Sequence, residues 1–139
     1  MSKYNGKEVS LEKQKKRPDL GAFNHVAIEV KDLQSALHFY QDILGLSVVP
    51  MPEGVKEKGI AWLDLSDKLA LHIVQKEDAA PGKTSHFAFN VDDVDQWRKY
   101  LLSKNIEIFQ PQIDIYSAQR IFVKDPSGNR LEFVKWQHP

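Results

Sequence analysis

Residues 25–33 read His-Val-Ala-Ile-Glu-Val-Lys-Asp-Leu, and residues 86–94 repeat the pattern as His-Phe-Ala-Phe-Asn-Val-Asp-Asp-Val. In each stretch the side chains alternate in the manner of a β-strand with two different faces. An aspartate then precedes apolar residues at helical spacing and is suited to cap a helix. The chain therefore contains two similar modules, and each one begins with a strand and a capped helix.

The remainder of each module predicts three short strands. We expect them near residues 46–50, 59–65 and 69–75 in the first module, and near 106–109, 118–124 and 130–136 in the second. A polar linker separates the modules, which span residues 21–76 and 84–137. Repeated units of this kind bury their apolar faces against each other. We predict an α+β domain in which two β-α-β-β-β modules form a curved, cup-like, eight-stranded mixed sheet with the helices outside.

Composition narrows the classes of protein that this chain can belong to. Its 139 residues are 42% hydrophobic, which is enough for one core. Residues 1–20 form a flexible basic tail in our interpretation, and we favour a solvated tail over one that binds nucleic acid. There is neither an apolar stretch long enough for a membrane helix nor a secretory signal, so we expect a cytoplasmic protein without a membrane partner.

Three histidines and one carboxylate stand out as candidate site residues. His25 and His86 open equivalent strands, while His72 and Glu132 lie near the ends of the two modules. The chain has no cysteine, so a metal would need His, Asp or Glu ligands. Two histidines and one carboxylate suit Zn, Ni, Mn or Fe. The alternative is that each histidine is an ordinary hydrogen-bonded core residue, but their shared symmetry favours a site. The three tryptophans are expected in the core.

The chain resembles the vicinal oxygen chelate superfamily, also called the glyoxalase/bleomycin-resistance/dioxygenase fold. The resemblance spans about residues 23–136. It depends on four segments: Asn-His-Val-Ala-Ile at 24–28, the helix at 36–46, Ser-His-Phe-Ala-Phe at 85–89, and Phe-Val-Lys-Asp-Pro-Ser-Gly-Asn-Arg-Leu-Glu-Phe at 122–133. These motifs are specific for the fold and weak on the reaction, because the superfamily includes isomerases, epimerases, thiol transferases, dioxygenases and metal-free drug-binding proteins.

The resemblance implies that the metal ligands are His25, His72, His86 and Glu132. Glyoxalase I enzymes have glutamate at the position of His72, so this residue is either a ligand, a proton shuttle or part of a pocket wall. Glu132 can also serve as the catalytic base. The resemblance further implies a small-molecule substrate with neighbouring oxygens, and a homodimer.

Three functions remain open on these grounds. The first is a divalent-metal-dependent lyase or isomerase that resembles glyoxalase I, also called lactoylglutathione lyase. The second is a metal-free binding protein of the bleomycin-resistance kind. The third is a small metal-dependent dioxygenase or thiol transferase. The thiol transferases of this group have a further C-terminal segment that this chain lacks, and they have arginine where it has Gln119.

Overall fold

The computed structural model describes residues 17–115 and 117–137, and they form the two predicted modules. The first contains strand β1 (His25–Val30), helix α1 (Leu33–Leu37) with a π-helical continuation (His38–Ile43), a 3₁₀ turn (Lys56–Lys58), and strands β2 (Ile60–Asp64) and β3 (Ala70–Gln75). The second contains strand β4 (His86–Asn90), helix α2 (Val94–Ser103), and strands β5 (Ala118–Lys124) and β6 (Arg130–Trp136). The predicted basic tail lies mainly outside the described residues.

The strands form two three-stranded sheets with the same topology. Their orders are β1-β3-β2 and β4-β6-β5, and in each sheet the first pair is parallel and the second antiparallel. The predicted single eight-stranded sheet is therefore not what the described residues form. The strands expected at 46–50 and 106–109 are reduced to isolated bridges at Val48 and Phe109. Prolines at 50, 52 and 111 follow these bridges closely, and proline cannot donate to a ladder.

Both helices begin as the sequence predicts. The carboxylate of Asp32 accepts a hydrogen bond from the backbone N–H of Ser35, and that of Asp93 accepts one from Gln96. The first helix widens into a π-helix, which the sequence pattern does not reveal. This wider segment buries two consecutive aromatic residues, Phe39 and Tyr40, against the core.

One face of each sheet packs on the helices and forms a shared core. The core is built from alternate strand residues and the inner faces of the helices, among them Val30, Phe39, Leu63, Leu71, Ile73, Val94, Leu101, Ile121, Val123, Leu131 and Phe133. The opposite face of each sheet carries the candidate site residues. No helix in the described segments has the length and apolar character needed to cross a membrane.

The turn between β5 and β6 fastens the second module to the first. The hydroxyl of Tyr40 donates to the buried carboxylate of Asp125 at 2.8 Å. The side-chain amide of Asn129 donates to the carbonyl of Glu29 at 2.9 Å, and the backbone N–H of Lys31 donates to Ser127 Oγ at 2.8 Å. These bonds fix the β5–β6 hairpin against β1 and α1.

Candidate functional site

The first and last strands of each module place the candidate residues on the open face of the sheets. The second and fourth residues of β1 and of β4 are partly buried, whereas the first residues, His25 and His86, are exposed. An alanine lies two residues beyond each histidine on the same face, and its small side chain leaves space beside the imidazole.

Strand register makes His72 and Glu132 equivalent residues of the two modules. In the parallel pair β1–β3, His72 lies opposite Ala27, and in the parallel pair β4–β6, Glu132 lies opposite Ala88. Each module therefore presents one histidine from its first strand and one further polar residue from its last strand. The second polar residue is an imidazole in one module and a carboxylate in the other.

Glu132 lies at the centre of a charged cluster in the second module. Its Oε1 atom is 3.1 Å from His86 Nε2, and its Oε2 atom accepts a hydrogen bond from Arg120 Nε at 2.7 Å. Arg120 also donates from Nη1 to the carbonyl of Ile113 at 2.8 Å. The Glu132 side chain is only 9% exposed, so the guanidinium offsets the cost of burying the carboxylate.

The ion pair between Arg120 and Glu132 was not predicted from the sequence. In the antiparallel pair β5–β6, Phe122 is opposite Glu132 and Arg120 is opposite Val134. Residues that are opposite each other share a face of the sheet, and so do residues two apart on one strand. Arg120 and Glu132 therefore both lie on the open face. The alternation of β5 places Arg120 on this face. The pairing register, which the sequence does not give, decides that it reaches Glu132.

The first module holds its two histidines in a ring stack. The His72 ring lies 4.0 Å from the His25 ring at an interplanar angle of 15°, and 4.3 Å from the Trp62 ring at 8°. Burial, and to a lesser extent the neighbouring His25, lower the pKa of His72 below its usual value. His72 is therefore uncharged at neutral pH.

Of the three tryptophans expected in the core, only Trp97 packs there. Trp62 is only partly buried and lies against His72 on the open face, whereas Trp136 at the end of β6 is 52% exposed. Alternation places position 62 on the same face as His72, which is its cross-strand neighbour.

The hydrogen bonds of His25 and His86 orient both rings in the same way. His25 Nδ1 lies 2.7 Å from Asn24 Oδ1, and His86 Nδ1 lies 2.9 Å from the carbonyl oxygen of Thr84. Both oxygens are acceptors, so each Nδ1 donates the hydrogen bond and Nε2 is the other ring nitrogen, which in His86 faces Glu132 Oε1. Such a hydrogen bond, from the ring nitrogen that does not bind the metal, is typical of metal-ligating histidines.

The structure does not bring the four predicted ligands together in one chain. His86 and Glu132 form one pair, His25 and His72 form another, and the described residues include no group of three His, Asp or Glu side chains placed to hold a metal ion. The donor set of the first pair fits a divalent cation, with an imidazole nitrogen facing a carboxylate oxygen.

The stack limits how His72 can take part. The nitrogen lone pairs of an imidazole lie in the plane of its ring, and the two ring planes are nearly parallel with centroids 4.0 Å apart, whereas the ligands of one ion must converge on it. His25 and His72 therefore cannot both ligate one ion in this arrangement.

A cleft of about 310 Å³ lies beside the pair His86–Glu132. It is lined in part by His86, Phe109, Arg120, Phe122 and Arg130.

Comparison with known proteins places this architecture in one class. The profile of the Glyoxalase/Bleomycin resistance protein/Dioxygenase superfamily matches residues 22–133. The chain belongs to this superfamily, which confirms the resemblance seen in its sequence motifs.

Individual relatives within the superfamily differ in what they do. The chain is 27% identical over 119 residues to metallothiol transferase FosB from Staphylococcus epidermidis, covering 82% of this chain and 81% of that protein. It is 34% identical over 130 residues to mitochondrial methylmalonyl-CoA epimerase from Mus musculus, covering 81% and 72%. The structure of lactoylglutathione lyase from Agrobacterium tumefaciens superposes with a TM-score of 0.65 at 22% identity, covering 85% and 96%. This last similarity concerns the fold alone.

Proposed function

We propose that this protein is a divalent-metal-dependent lyase or isomerase that acts on a small substrate with neighbouring oxygen atoms. The metal is Zn, Ni, Mn or Fe, and its ligands are His25, His86 and Glu132. The observation that carries the proposal is the matching hydrogen bond at Nδ1 of the two histidines, which leaves Nε2 as the nitrogen that each ring could offer to a metal. Nε2 of His86 already faces Glu132 Oε1 at 3.1 Å, so a cation bound there would replace this direct contact. Two relatives support separate parts of the proposal: a metallothiol transferase supports the dependence on a metal, and an epimerase supports isomerase chemistry.

The roles of the residues follow from their contacts. A bound divalent cation supplies Lewis-acid polarisation of the substrate oxygens. Arg120 holds Oε2 of Glu132, which leaves Oε1 directed at His86. His72 is the candidate acid/base, because its lowered pKa keeps the ring neutral and able to accept a proton. Glu132 is the alternative base.

A second copy of the chain completes the site in this proposal. The pair His86–Glu132 and the pair His25–His72 lie on separate sheets, and the described residues of one chain do not form a cluster of three ligands. Both open faces expose their histidines, as expected if a partner covers them. In a twofold dimer, His25 of one protomer would join His86 and Glu132 of the other.

Mixing two inactive variants tests both the ligands and the dimer. His25→Ala and His86→Ala should each lose uptake of Mn, Ni or Zn while remaining folded, whereas His38→Ala on the exposed helix surface should bind metal normally. Co-refolding the first two variants should restore about one quarter of the wild-type metal content, because half of the dimers would be mixed and each would contain one intact site. Absence of metal uptake by the wild type would contradict the proposal. No recovery on mixing would place the ligands within one chain.

A metal-free binding protein is the second candidate, favoured by the ring stack. Trp62, His72 and His25 form a column of three stacked rings on the open face, with His72 in the middle, so a flat ligand could extend the column by stacking on the outer face of Trp62 or of His25. This function predicts binding of aromatic ligands without metal, and Trp62→Leu would abolish it. The metal titration above separates the two candidates.

A further inference from the structure

The second module carries a cluster of cations that the first module lacks. Lys124 and Arg130 are directly opposite each other in the antiparallel pair β5–β6. The equivalent pair in the first module is Asp64 opposite Ala70. Since the first hairpin forms without these charges, the fold itself does not require them.

The two cations share the open face with Glu132. Arg130 is opposite His86 in the parallel pair β4–β6, and Lys124 is two residues beyond Phe122 on β5. Like charges directly opposite each other on a sheet are destabilising. The ammonium group of Lys124 lies 4.6 Å from the centre of the Phe109 ring, which relieves part of this cost.

Neither cation has an acidic partner in the part of the chain that the structure describes. None of the ion pairs among the described residues involves Lys124, Arg130 or a third cation, Lys83, which precedes β4. Arg130 is partly buried, and its guanidinium forms no ion pair with a carboxylate of the described residues. An arginine in this situation presents a preformed fork for an anion.

The three cations line one cleft that is continuous with the candidate site. This cleft of about 510 Å³ is bounded by Lys83, Thr84, Lys124 and Arg130, with Pro81, Gly82, Gln112 and Gly128, and it has no acidic lining residue. Thr84, Gln112 and Arg130 also line the cleft beside His86. An anion in the basic cleft would therefore be part of a molecule that also reaches His86.

We propose that Lys83, Lys124 and Arg130 form a subsite for a phosphate or dicarboxylate group at the far end of the substrate. The assignment of that group to a substrate depends on the function proposed above, while the binding of the anion does not. Arg130 would contact the anion in the forked geometry that guanidinium groups offer, and the two lysines would supply further positive charge. The subsite would select anionic substrates over neutral ones of the same size.

Titration of the metal-free full-length protein with inorganic pyrophosphate, in low-salt buffer, tests the subsite by calorimetry. Lys124→Gln and Arg130→Gln should each weaken binding about tenfold, because each removes one charge-assisted contact. Arg130→Lys should recover part of the affinity. Lys99→Gln, on the exposed surface of α2, is the matched control and should bind as the wild type does. Parallel titrations with inorganic phosphate and with malonate, both dianions above about pH 8, distinguish the two groups at equal charge, since the tighter ligand identifies the group.

Two results would overturn the inference. One is equal pyrophosphate affinity in the wild type and Arg130→Gln, with unchanged circular dichroism. The other is an equal loss in Lys99→Gln, which would show general charge attraction. The variant His86→Ala separates this inference from the proposed function: it should lose metal uptake and keep pyrophosphate binding. Pyrophosphate binding by a wild type that takes up no metal would support the subsite and contradict the metal-dependent function.

Discussion

The buried bond between Tyr40 and Asp125 should contribute more to stability than an ordinary tyrosine bond. Asp125 is 4% exposed, and its two oxygens accept four hydrogen bonds: one from the Tyr40 hydroxyl, one from Ser127 N, and two from Asn129. Tyr40→Phe removes one of the four without opening a cavity. A hydrogen bond to a charged group contributes about 1.5–3 kcal/mol, so the free energy of unfolding should fall by about that amount.

Tyr100→Phe is the matched control for this substitution. The Tyr100 hydroxyl donates to the carbonyl of Ile43 at 2.7 Å, but the residue is 36% exposed and the acceptor is neutral. Its loss should cost about 0.5–1.5 kcal/mol. Urea unfolding followed by circular dichroism measures both values, with equal slopes for all three proteins. The reasoning is refuted if Tyr40→Phe costs no more than Tyr100→Phe.

The pH dependence provides a second readout. Burial, and then the negative charge of Asp125, raise the pKa of Tyr40 well above its usual value of 10.0. In the unfolded chain Tyr40 ionises near pH 10, whereas in the folded protein it stays protonated. The stability contributed by this group is therefore complete below about pH 10 and declines as the pH rises further. The difference in stability between the wild type and Tyr40→Phe should shrink above pH 10.

Two further substitutions test the backbone conformation at Gly59 and the ion pair of Arg120 with Glu132. Gly59 has φ +76, and a Cβ added there would lie 3.2 Å from Gln75 Cβ. Gly59→Ala should therefore lower the free energy of unfolding in urea by about 1–2 kcal/mol. Gly21→Ala is the control and should leave this free energy almost unchanged, because a Cβ at Gly21 meets open space. Arg120→Met should destabilise the metal-free protein by about 3 kcal/mol, because it leaves the buried Glu132 carboxylate without its guanidinium partner. Saturating Zn or Mn should recover more stability in this variant than in the wild type, and an equal gain in both would argue against Glu132 as a ligand.

Sequence periodicity was sufficient to predict the elements that have two different faces. β1 and β4 alternate strictly, and Asp32 and Asp93 cap the helices that follow, so the presence and the order of these elements agree with the prediction. The strands predicted around Val48 and Phe109 are longer than the single bridges that the structure has there. Their apolar residues fit a strand, but the prolines that follow limit each to a single bridge.

The candidate site was predicted as a list of residues and not as an arrangement. Symmetry of the repeat selects His25 and His86, and alternation places His72 and Glu132 on the open face. Three features depend on contacts between strands that the sequence does not reveal: the stack of His25 on His72, the ion pair of Arg120 with Glu132, and the division of the candidate ligands between two sheets.

The two modules share a backbone plan and differ in the chemistry of one face. At three equivalent positions the first module has Asp64, Ala70 and His72, and the second has Lys124, Arg130 and Glu132. Because the register is the same in both sheets, these substitutions change the open face without disturbing the core behind it. The first module thus presents a column of stacked rings and the Asp64 carboxylate, while the second presents a carboxylate flanked by cations. In the proposed dimer, the first module of one protomer would meet the second module of the other, so a substrate between them would contact aromatic rings on one side and the charged groups around Glu132 on the other. These unlike contacts would fix the orientation of the substrate.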